Sequence, residues 1–340
     1  MKAVRIHEFG GPEVLKYEDL PEPELRRDEV MIRVKACALN HLDLWVRRGL
    51  PGITLPRVLG SDVSGDIAAV GDYVSHLQVG QRVLVAPMTF CGHCHMCGFG
   101  QQNFCPRFSV LGTQTDGGYR ELMSVRGDLV IPIPSEITYD EAAAVPLVFL
   151  TAWHMLVVRA RIKPGDVVLV LGAGSGVGSA AIQIVKLWGG TVITTAGSDA
   201  KLEHAKEIGA DYVIDHYRQK ISEEVRKITA KRGVDIVIEH VGEATWAESA
   251  KSLRPGGTLV TCGATTGPNA SLDLRFLFSR QLSLLGSYMG NMGDLHEVLK
   301  HIFKGKLKAV VDKSLPLHEA AAAHIRLENR EQFGKIVLNP

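Results

Sequence analysis

A run of glycines between an apolar segment and a helical one constrains the fold of this chain more than any other feature. In VVLVLGAGSGVGSAAIQIVK, Gly172, Gly174, Gly176 and Gly178 separate a Val-rich strand from a segment with helical periodicity. At such a junction the backbone turns tightly, approaches a ligand closely and presents the amide groups of a helix N-terminus to a pyrophosphate. A tight turn without a ligand is the alternative, but the flanking strand and helix favour a dinucleotide site.

The glycine run lies in a part of the chain where strand-like and helix-like stretches alternate. Apolar strand cores occur at 167–172, 191–196, 212–215, 234–242, 257–263 and 282–287, and helical stretches occur at 178–188 and 200–209. This alternation predicts an α/β fold with a doubly wound parallel sheet, over residues 149–290. Residues 1–148 are instead rich in short strands broken by Gly and Pro, and residues 291–340 add a helix at 294–306 and a last strand.

The end of the second predicted strand bears on which dinucleotide binds. NAD sites usually carry an acidic residue about 20 positions after the glycines, and Ala196 stands there in this chain. Ser198 and Lys201 follow and could bind a ribose phosphate. Asp199 opposes this interpretation, although it could instead cap the next helix. The pattern favours NADPH over NADH.

The other predicted cofactor contacts lie where strands end, because this edge of a doubly wound sheet holds the ligand. Ordinary turns at strand ends are the alternative for each of them. Either His216 or Tyr217 could lie beside the ribose. The predicted cofactor-binding residues are Gly174, Ser175, Gly176, Val177, Gly178, Ser198, Lys201, Tyr217, Val241, Gly242, Gly263 and Ala264.

Four of the six cysteines are concentrated in the segment CGHCHMCGFGQQNFC, residues 91–105. Four thiolates close the tetrahedral shell of a zinc ion and leave no position for water or substrate. The spacing therefore predicts one structural zinc held by Cys91, Cys94, Cys97 and Cys105. A metal-free lobe with reduced or paired cysteines is the alternative, and His93 or His95 could replace one ligand.

Composition excludes several classes of function. Charged residues make up 22% of the chain and the formal net charge is +1, so no nucleic-acid partner is expected. The N-terminus lacks a signal-peptide core, and no apolar run approaches the roughly 18 residues that a membrane span needs. We expect a soluble cytoplasmic protein with a small-molecule substrate and no membrane partner.

Taken together, these motifs resemble the medium-chain dehydrogenase/reductase superfamily, which includes zinc alcohol dehydrogenases and quinone oxidoreductases. The resemblance covers essentially the whole chain. It implies a GroES-like catalytic domain over 1–148, completed by 291–340, around an inserted Rossmann domain, and a homodimer or homotetramer. The motifs that carry it are MKAVRIHEFGGPEVL, VLGSDVSGDIAAVG, the four-cysteine lobe, the glycine turn and EQFGKIVLNP.

The resemblance also implies where a catalytic zinc would bind in metal-dependent relatives. The matching positions here carry Asn40, Ser61 and, in a less secure alignment, Leu147. Neutral Asn and Ser are poor zinc ligands and Leu is none. The relay hydroxyl of the family is also absent, since Leu42 stands in its place. A different metal site built from the nearby residues His41, Asp43 and Asp62 is the alternative.

Without a catalytic metal, quinones and α,β-unsaturated carbonyls are the most tractable acceptors, because the charge formed by hydride addition spreads into a phenolate or enolate. We therefore expect an NADPH-dependent reductase of such compounds. Asn40 would orient substrate or nicotinamide ribose, Asp43 would anchor its loop and Trp45 would line the pocket. Two alternatives stay open: an alcohol dehydrogenase with structural zinc only or with an unrecognised catalytic metal, and a non-catalytic dinucleotide-binding sensor.

Overall fold

The computed structural model describes all 340 residues, and its first part is made of short strands. In β3 the side chains of Val30, Ile32 and Val34 point into the core while their neighbours face outward, as the alternation VMIRVKA predicts. The elements of this part are β1 (Lys2–Ile6), β2 (Lys16–Asp19), β3 (Glu29–Ala38), α1 (His41–Arg48), β4 (Arg57–Val58), β5 (Asp62–Val70), β6 (Arg82–Val85), β7 (Met88–Thr89), α2 (His95–Gly98), β8 (Ser109–Val110), β9 (Leu122–Arg126), β10 (Val130–Pro132) and α3 (Tyr139–Ala143).

The middle part alternates strands and helices. All six strands expected from the sequence are present, and α4 continues into a π-helical stretch, His154–Arg159. The elements are α4 (Pro146–Trp153), β11 (Val167–Val170), α5 (Gly176–Leu187), β12 (Thr191–Ala196), α6 (Asp199–Glu207), β13 (Tyr212–Asp215), α7 (Ile221–Ile228), β14 (Val234–Glu239), α8 (Glu243–Ser252), β15 (Leu253–Thr261), α9 (Leu274–Ser279) and β16 (Ser283–Gly286).

The last part contains two helices and two strands. They are α10 (Met292–Phe303), β17 (Val311–Pro316), α11 (Ala320–Glu328) and β18 (Lys335–Asn339). No helix of the chain combines the length and the apolar character that crossing a membrane requires.

The chain forms two structural units. One contains Met1–Leu147, Asn291–Phe303 and Lys308–Pro340, and the other contains Val148–Gly290 and Lys304–Leu307. In the first unit, β18 lies antiparallel to β3, with Val337 opposite Ala38, so the C-terminal strand is part of the N-terminal sheet. The strand order of that sheet is β10-β6-β5-β3-β18-β17, with β9 also paired to β3.

The second unit is built on a six-stranded parallel sheet of order β13-β12-β11-β14-β15-β16. Leu169, Ile193, Val237 and Leu259 from four neighbouring strands form its apolar core. The strand order reverses at β11, and in such sheets the ligand binds at the carboxyl ends beside the reversal. The glycine turn follows β11 directly. This architecture confirms the predicted α/β fold, with a β-rich unit and a doubly wound parallel sheet in the second unit.

Candidate functional site

Two of the predicted catalytic residues lie at the start of α1, where three strands of the first unit come together. Asn40 is the N-cap of α1, and its Nδ2 donates to Oδ2 of Asp62 over 2.9 Å. Lys335 Nζ donates to Oδ1 of Asn40 over 2.5 Å and to Oδ2 of Asp62 over 2.9 Å. Asn40 is 6% exposed, Lys335 4% and Asp62 0%. We call this group of three side chains the Asn40 site.

The sheet register brings these residues together. Ala38, near the end of β3, is opposite Asp62, the first residue of β5. On its other side β3 pairs with β18, whose first residue is Lys335, and Leu39 N–H donates to the carbonyl of Ile336. The Asn40 site is therefore positioned by backbone pairing between segments that are far apart in sequence.

The positions that would hold a catalytic zinc in metal-dependent relatives are already occupied by other interactions. The Asn40 amide is hydrogen-bonded to Asp62 and to Lys335. Ser61 is fully buried, and its hydroxyl donates to the carbonyl of Leu111 over 2.7 Å. Leu147 contributes its backbone N–H, which donates to Oδ1 of Asp62 over 2.8 Å. Both oxygens of Asp62 are thus bonded, one of them to an ammonium group.

These residues do not fit a catalytic zinc. Zinc needs thiolate, imidazole or carboxylate ligands, and here the first two positions carry an amide and a hydroxyl. A metal ion would also have to displace the Lys335 ammonium from the carboxylate. The alternative set of His41, Asp43 and Asp62 does not converge into a group that could bind a metal, and the one group of that kind is the four-cysteine lobe.

Asp43 supports the loop that carries Asn40. Its Oδ2 accepts from Asn40 N–H over 2.7 Å and its Oδ1 accepts from Gly60 N–H over 3.0 Å. Burial raises the pKa of Asp43 to about 6, an effect that the two backbone N–H groups and Lys335 oppose and that Asp62 reinforces. Trp45 lies half-buried in the middle of α1, and its place in a substrate pocket stays a prediction.

The glycine turn after β11 has the geometry of a pyrophosphate site. Gly172 adopts a positive φ of 62°. A Cβ on Gly178 would clash with the carbonyl oxygen of Gly172. The start of α5 therefore lies so close to the end of β11 that only glycine fits at this position. Ser175 is the N-cap of α5 and accepts from Gly178 N–H over 2.8 Å. Amide groups of the first helical turn have no partner within the helix and can bind an anion.

The predicted contacts after β14 and β15 lie on neighbouring strands of the same sheet. A Cβ on Gly242 would lie 2.9 Å from Cα of Ala264, so the two loops touch. The buried carboxylate of Glu239 accepts from Val241 N–H (2.6 Å) and Gly242 N–H (3.1 Å) and thereby holds the first loop. Gly263 follows β15 beside the main chain of His240.

His240 was not among the predicted residues, yet it lies against the glycine turn. Its Nε2 is 2.8 Å from the carbonyl oxygen of Leu171 and 3.2 Å from Oγ of Ser175. Burial lowers the pKa of His240. The sequence gives no signal for this placement, because a histidine at the end of an apolar strand is compatible with many surroundings.

The residues after β12 correct the expectation that Asp199 caps the next helix. Ser198, not Asp199, caps α6, and its hydroxyl accepts from Lys201 N–H over 3.4 Å. Asp199 is the first helical residue and forms an ion pair with Arg218 over 3.0 Å. The ring of Tyr217 lies so close to Gly197 that a Cβ there would clash with it.

The four-cysteine lobe has the geometry that a zinc ion requires. All four sulfurs lie within 4.8 Å of one another, with Cys91 3.9 Å from Cys97 and 3.6 Å from Cys105. A tetrahedral site with Zn–S bonds of about 2.3 Å places its sulfurs about 3.8 Å apart. None of the four forms a disulfide.

The surroundings of the lobe favour cysteine over histidine as the fourth ligand. His93 Nδ1 is 2.7 Å from the carbonyl oxygen of Cys91, and the ring of His95 packs edge-on against Phe99. Cys91, Cys94, Cys97 and Cys105 would hold the ion, whose chemistry there is structural.

Comparison with known proteins connects both units to one family. Residues 26–135 match the family model described as alcohol dehydrogenase GroES-like domain, and residues 176–304 match the one described as zinc-binding dehydrogenase. A crystal structure titled NAD-dependent alcohol dehydrogenase is 45% identical with a TM-score of 0.97, over 100% of both chains. An alcohol dehydrogenase of Geobacillus stearothermophilus is 33% identical over 99% of both chains.

The chain belongs to the medium-chain dehydrogenase/reductase superfamily. A quinone oxidoreductase of Pseudomonas aeruginosa is also similar, 31% identical over 100% of this chain and 99% of the relative. The protein is accordingly an NAD(P)-dependent oxidoreductase of this superfamily, as the motifs predicted, and its cysteine lobe is consistent with the structural zinc of such proteins.

Proposed function

We propose that this member of the superfamily reduces quinones or α,β-unsaturated carbonyl compounds with NADPH and without a catalytic metal. The observation that carries the proposal is the buried ammonium of Lys335, bonded to both Asn40 and Asp62. A cation already neutralises Asp62, the carboxylate next to the positions that match the family's metal site. Reduction of an unactivated ketone in such a site would lack the Lewis acid that zinc enzymes use.

Asn40 can serve as the hydrogen-bond donor to the substrate oxygen. Its Nδ2 carries two hydrogens, of which one is donated to Asp62. Lys335 donates to Oδ1 of the same amide, which polarises the amide and strengthens the remaining N–H as a donor. When bound, NAD(P)H supplies a hydride to a substrate carbon, and the developing negative charge on oxygen is what this donor would stabilise.

The preference for NADPH has support at the end of β12. Ala196 provides no carboxylate for the ribose hydroxyls, and the charge of Asp199 is paired with Arg218. Lys201 lies in the first turn of α6, near Ser198 and Gly197. The cytoplasmic location and the homodimer or homotetramer stay predictions.

The second candidate function is that of an alcohol dehydrogenase. The 45% identical crystal structure of an NAD-dependent alcohol dehydrogenase favours it. It would require a different source of electrophilic assistance, or a metal site other than the positions of Asn40, Ser61 and Leu147. A non-catalytic dinucleotide-binding sensor would bind NADPH and transfer no hydride to any acceptor.

The experiment compares NADPH and NADH against benzoquinones, cyclic enones and simple alcohols, before and after mild chelation. We expect quinone or enone reduction with NADPH that survives chelation. Asn40→Ala should lower kcat/KM about 100-fold, the usual cost of one oxyanion donor. Asn339→Ala, whose amide donates to the carbonyl of Lys35 and to Asp140, is the matched control and should retain activity. Alcohol oxidation that chelation abolishes would refute the proposal.

Cofactor preference is tested in the same assay with Lys201→Ala. Loss of one cation from a ribose phosphate site should raise KM for NADPH about tenfold and leave KM for NADH unchanged. Equal changes for both cofactors, or a wild-type preference for NADH, would contradict the NADPH assignment.

A further inference from the structure

The glycine turn after β11 contacts a histidine from the neighbouring strand of the sheet. His240 follows β14, which pairs with β11, and its Nε2 is 2.8 Å from the carbonyl oxygen of Leu171 and 3.2 Å from Oγ of Ser175. Cε1 of the same ring would lie 3.2 Å from a Cβ on Gly172. The imidazole therefore packs against the whole turn from Leu171 to Ser175, within the second unit.

The carbonyl group of Leu171 determines which atom of this contact carries a hydrogen. A carbonyl oxygen only accepts, so the hydrogen of the 2.8 Å contact is on Nε2 of His240. A nitrogen that carries a hydrogen cannot accept from the Ser175 hydroxyl, and this holds for the neutral and the charged ring alike. Ser175 therefore faces the ring with a lone pair and not with its hydrogen.

The hydroxyl oxygen of Ser175 has both of its acceptor positions engaged. Gly178 N–H donates to it over 2.8 Å, and Nε2–H of His240 lies 3.2 Å away. A hydroxyl group has two lone pairs and one hydrogen. No group of the protein accepts that hydrogen, because these two contacts are the only hydrogen bonds of the Ser175 side chain. The Ser175 O–H is therefore a donor without an acceptor in the protein.

This donor lies where the turn can bind an anion. Ser175 is the N-cap of the twelve-residue helix α5 and is half-buried, as are Gly174, Gly176 and Val177 around it, so a ligand can reach the turn. The first N–H groups of a helix have no partner within it, and the helix dipole favours negative charge at this end. A pyrophosphate oxygen bound to these N–H groups would also accept the hydroxyl hydrogen.

We propose that Ser175 donates its hydroxyl hydrogen to the pyrophosphate of the dinucleotide, and that His240 is a positioning residue that directs this hydrogen toward it. This inference rests on the dinucleotide site of the proposed function. Without Nε2–H, the Leu171 carbonyl would lose its donor and would compete with the pyrophosphate for the Ser175 hydrogen, since both oxygens lie within 3.2 Å of the same nitrogen. His240 thus acts through Ser175.

The test measures dissociation constants of the zinc-containing full chain by calorimetry, which needs no turnover. Ser175→Ala should weaken the binding of NADP⁺ and of NAD⁺ about 30-fold each, the usual value of one hydrogen bond to a charged group. Adenosine 2′-phosphate lacks the pyrophosphate, so its affinity should change by less than about twofold. His240→Leu keeps an apolar side chain against Gly172 and should weaken both dinucleotides about fivefold, because the hydroxyl stays but is no longer directed.

A double variant tests whether His240 acts through Ser175. In the Ser175→Ala background, His240→Leu should change the Kd of NADP⁺ by less than about twofold, because the hydroxyl that His240 directs is gone. His240→Gln keeps an N–H donor on a side chain of similar length and should recover most of the loss seen in His240→Leu. A loss of about fivefold that persists in the double variant would mean that His240 contacts the cofactor itself, and would overturn the proposal.

Two matched control variants lie in the first unit. His76→Leu removes a histidine whose Nε2 lies 3.4 Å from the carbonyl oxygen of Gly127. Thr138→Ala removes the N-cap of α3, whose hydroxyl accepts from Glu141 N–H over 3.2 Å. Neither variant should change the binding of NADP⁺ or NAD⁺. They separate loss of the directed hydroxyl from the general effect of losing a histidine contact or a helix cap.

A loss of affinity that is confined to the dinucleotides and coupled between Ser175 and His240 supports the proposal. An equal loss for adenosine 2′-phosphate, or unchanged affinity in His240→Leu, overturns it. If Ser175→Ala fails to fold, the comparison of His240→Leu with His240→Gln tests the same hydrogen. A protein that binds NADP⁺ as expected and reduces no quinone or enone would refute the proposed function alone, and tighter binding of NAD⁺ would refute only the NADPH assignment.

Discussion

The cysteine lobe and the Asn40 site show two opposite ways in which this fold uses a metal-binding position. The lobe brings four thiols together with no competing cation among them. At the Asn40 site the ligand-bearing positions carry an amide and a hydroxyl, and a lysine ammonium is bonded to the carboxylate beside them. Both positions lie in the first unit of the fold, so side-chain donors and local charge are what make the lobe suitable for zinc and the Asn40 site unsuitable.

The largest expected effect is on the lobe. Cys97→Ser removes one of four thiolates, so the zinc content should fall from one per chain to near zero. The lost metal-coupled folding energy is about 5 kcal/mol, which lowers the melting temperature by about 10–20 °C. Elemental analysis and calorimetry measure the two quantities. Cys262→Ser, outside the lobe, is the control, and an unchanged zinc content in Cys97→Ser would show that the lobe binds no metal.

The second effect is on the Asn40 site. Lys335→Met leaves the fully buried Asp62 without its cation, which should lower the free energy of unfolding by about 4 kcal/mol. The zinc content should stay at one per chain. Lys35→Met serves as control, because the Lys35–Asp66 pair is partly exposed and its atoms are 3.8 Å apart, so its loss should cost less than about 1 kcal/mol. Denaturant unfolding measures both.

Gain of a second zinc in Lys335→Met would contradict the view that the side chains around Asn40 are unsuitable zinc ligands. It would show that the Lys335 ammonium alone prevents zinc from binding there. Equal stability of Lys335→Met and Lys35→Met would show that the buried pair contributes no more than a surface pair.

The smallest effect concerns the pH dependence of stability. The pKa of Asp43 is about 6 in the folded chain, above the usual carboxyl value, so the folded state binds more protons than the unfolded state between about pH 4 and 6. The contribution of Asp43 is therefore favourable at low pH and is lost as the pH rises through 6. Between pH 5 and pH 7 the ionisation of Asp43 therefore lowers the free energy of unfolding by about 1.3 kcal/mol.

Asp43→Asn should abolish this dependence. The difference in the free energy of unfolding between wild type and variant should change by about 1.3 kcal/mol between pH 5 and pH 7. Both proteins contain the cysteine lobe, so its contribution cancels in this difference. Parallel pH profiles would mean that Asp43 has an ordinary pKa in the folded chain.

Much of the second unit was predictable because its signals are local. A Val-rich run, closely spaced glycines and a helical period occur within twenty residues of one another, and each strand core is continuous in sequence. The four-cysteine lobe was predictable for the same reason. Its ligands lie within one short loop, so spacing alone determines their convergence.

The Asn40 site was only partly predictable because its members come from distant segments. Asn40 and Asp62 lie in short sequence motifs, but Lys335 is nearly three hundred residues from Asn40 and is brought in by the pairing of β18 with β3. A single lysine at the start of an apolar strand gives no sign that it will be buried against a carboxylate. The same holds for His240, whose contact with the glycine turn is set by tertiary packing.

Zinc content per chain is the most direct test of the central claim, that the metal holds the lobe and takes no part in catalysis. The purified protein is analysed for zinc before and after mild chelation, with quinone and enone reduction measured on the same samples. We expect one tightly held zinc and activity that survives chelation. Two zinc ions, with the second lost together with activity, would contradict it.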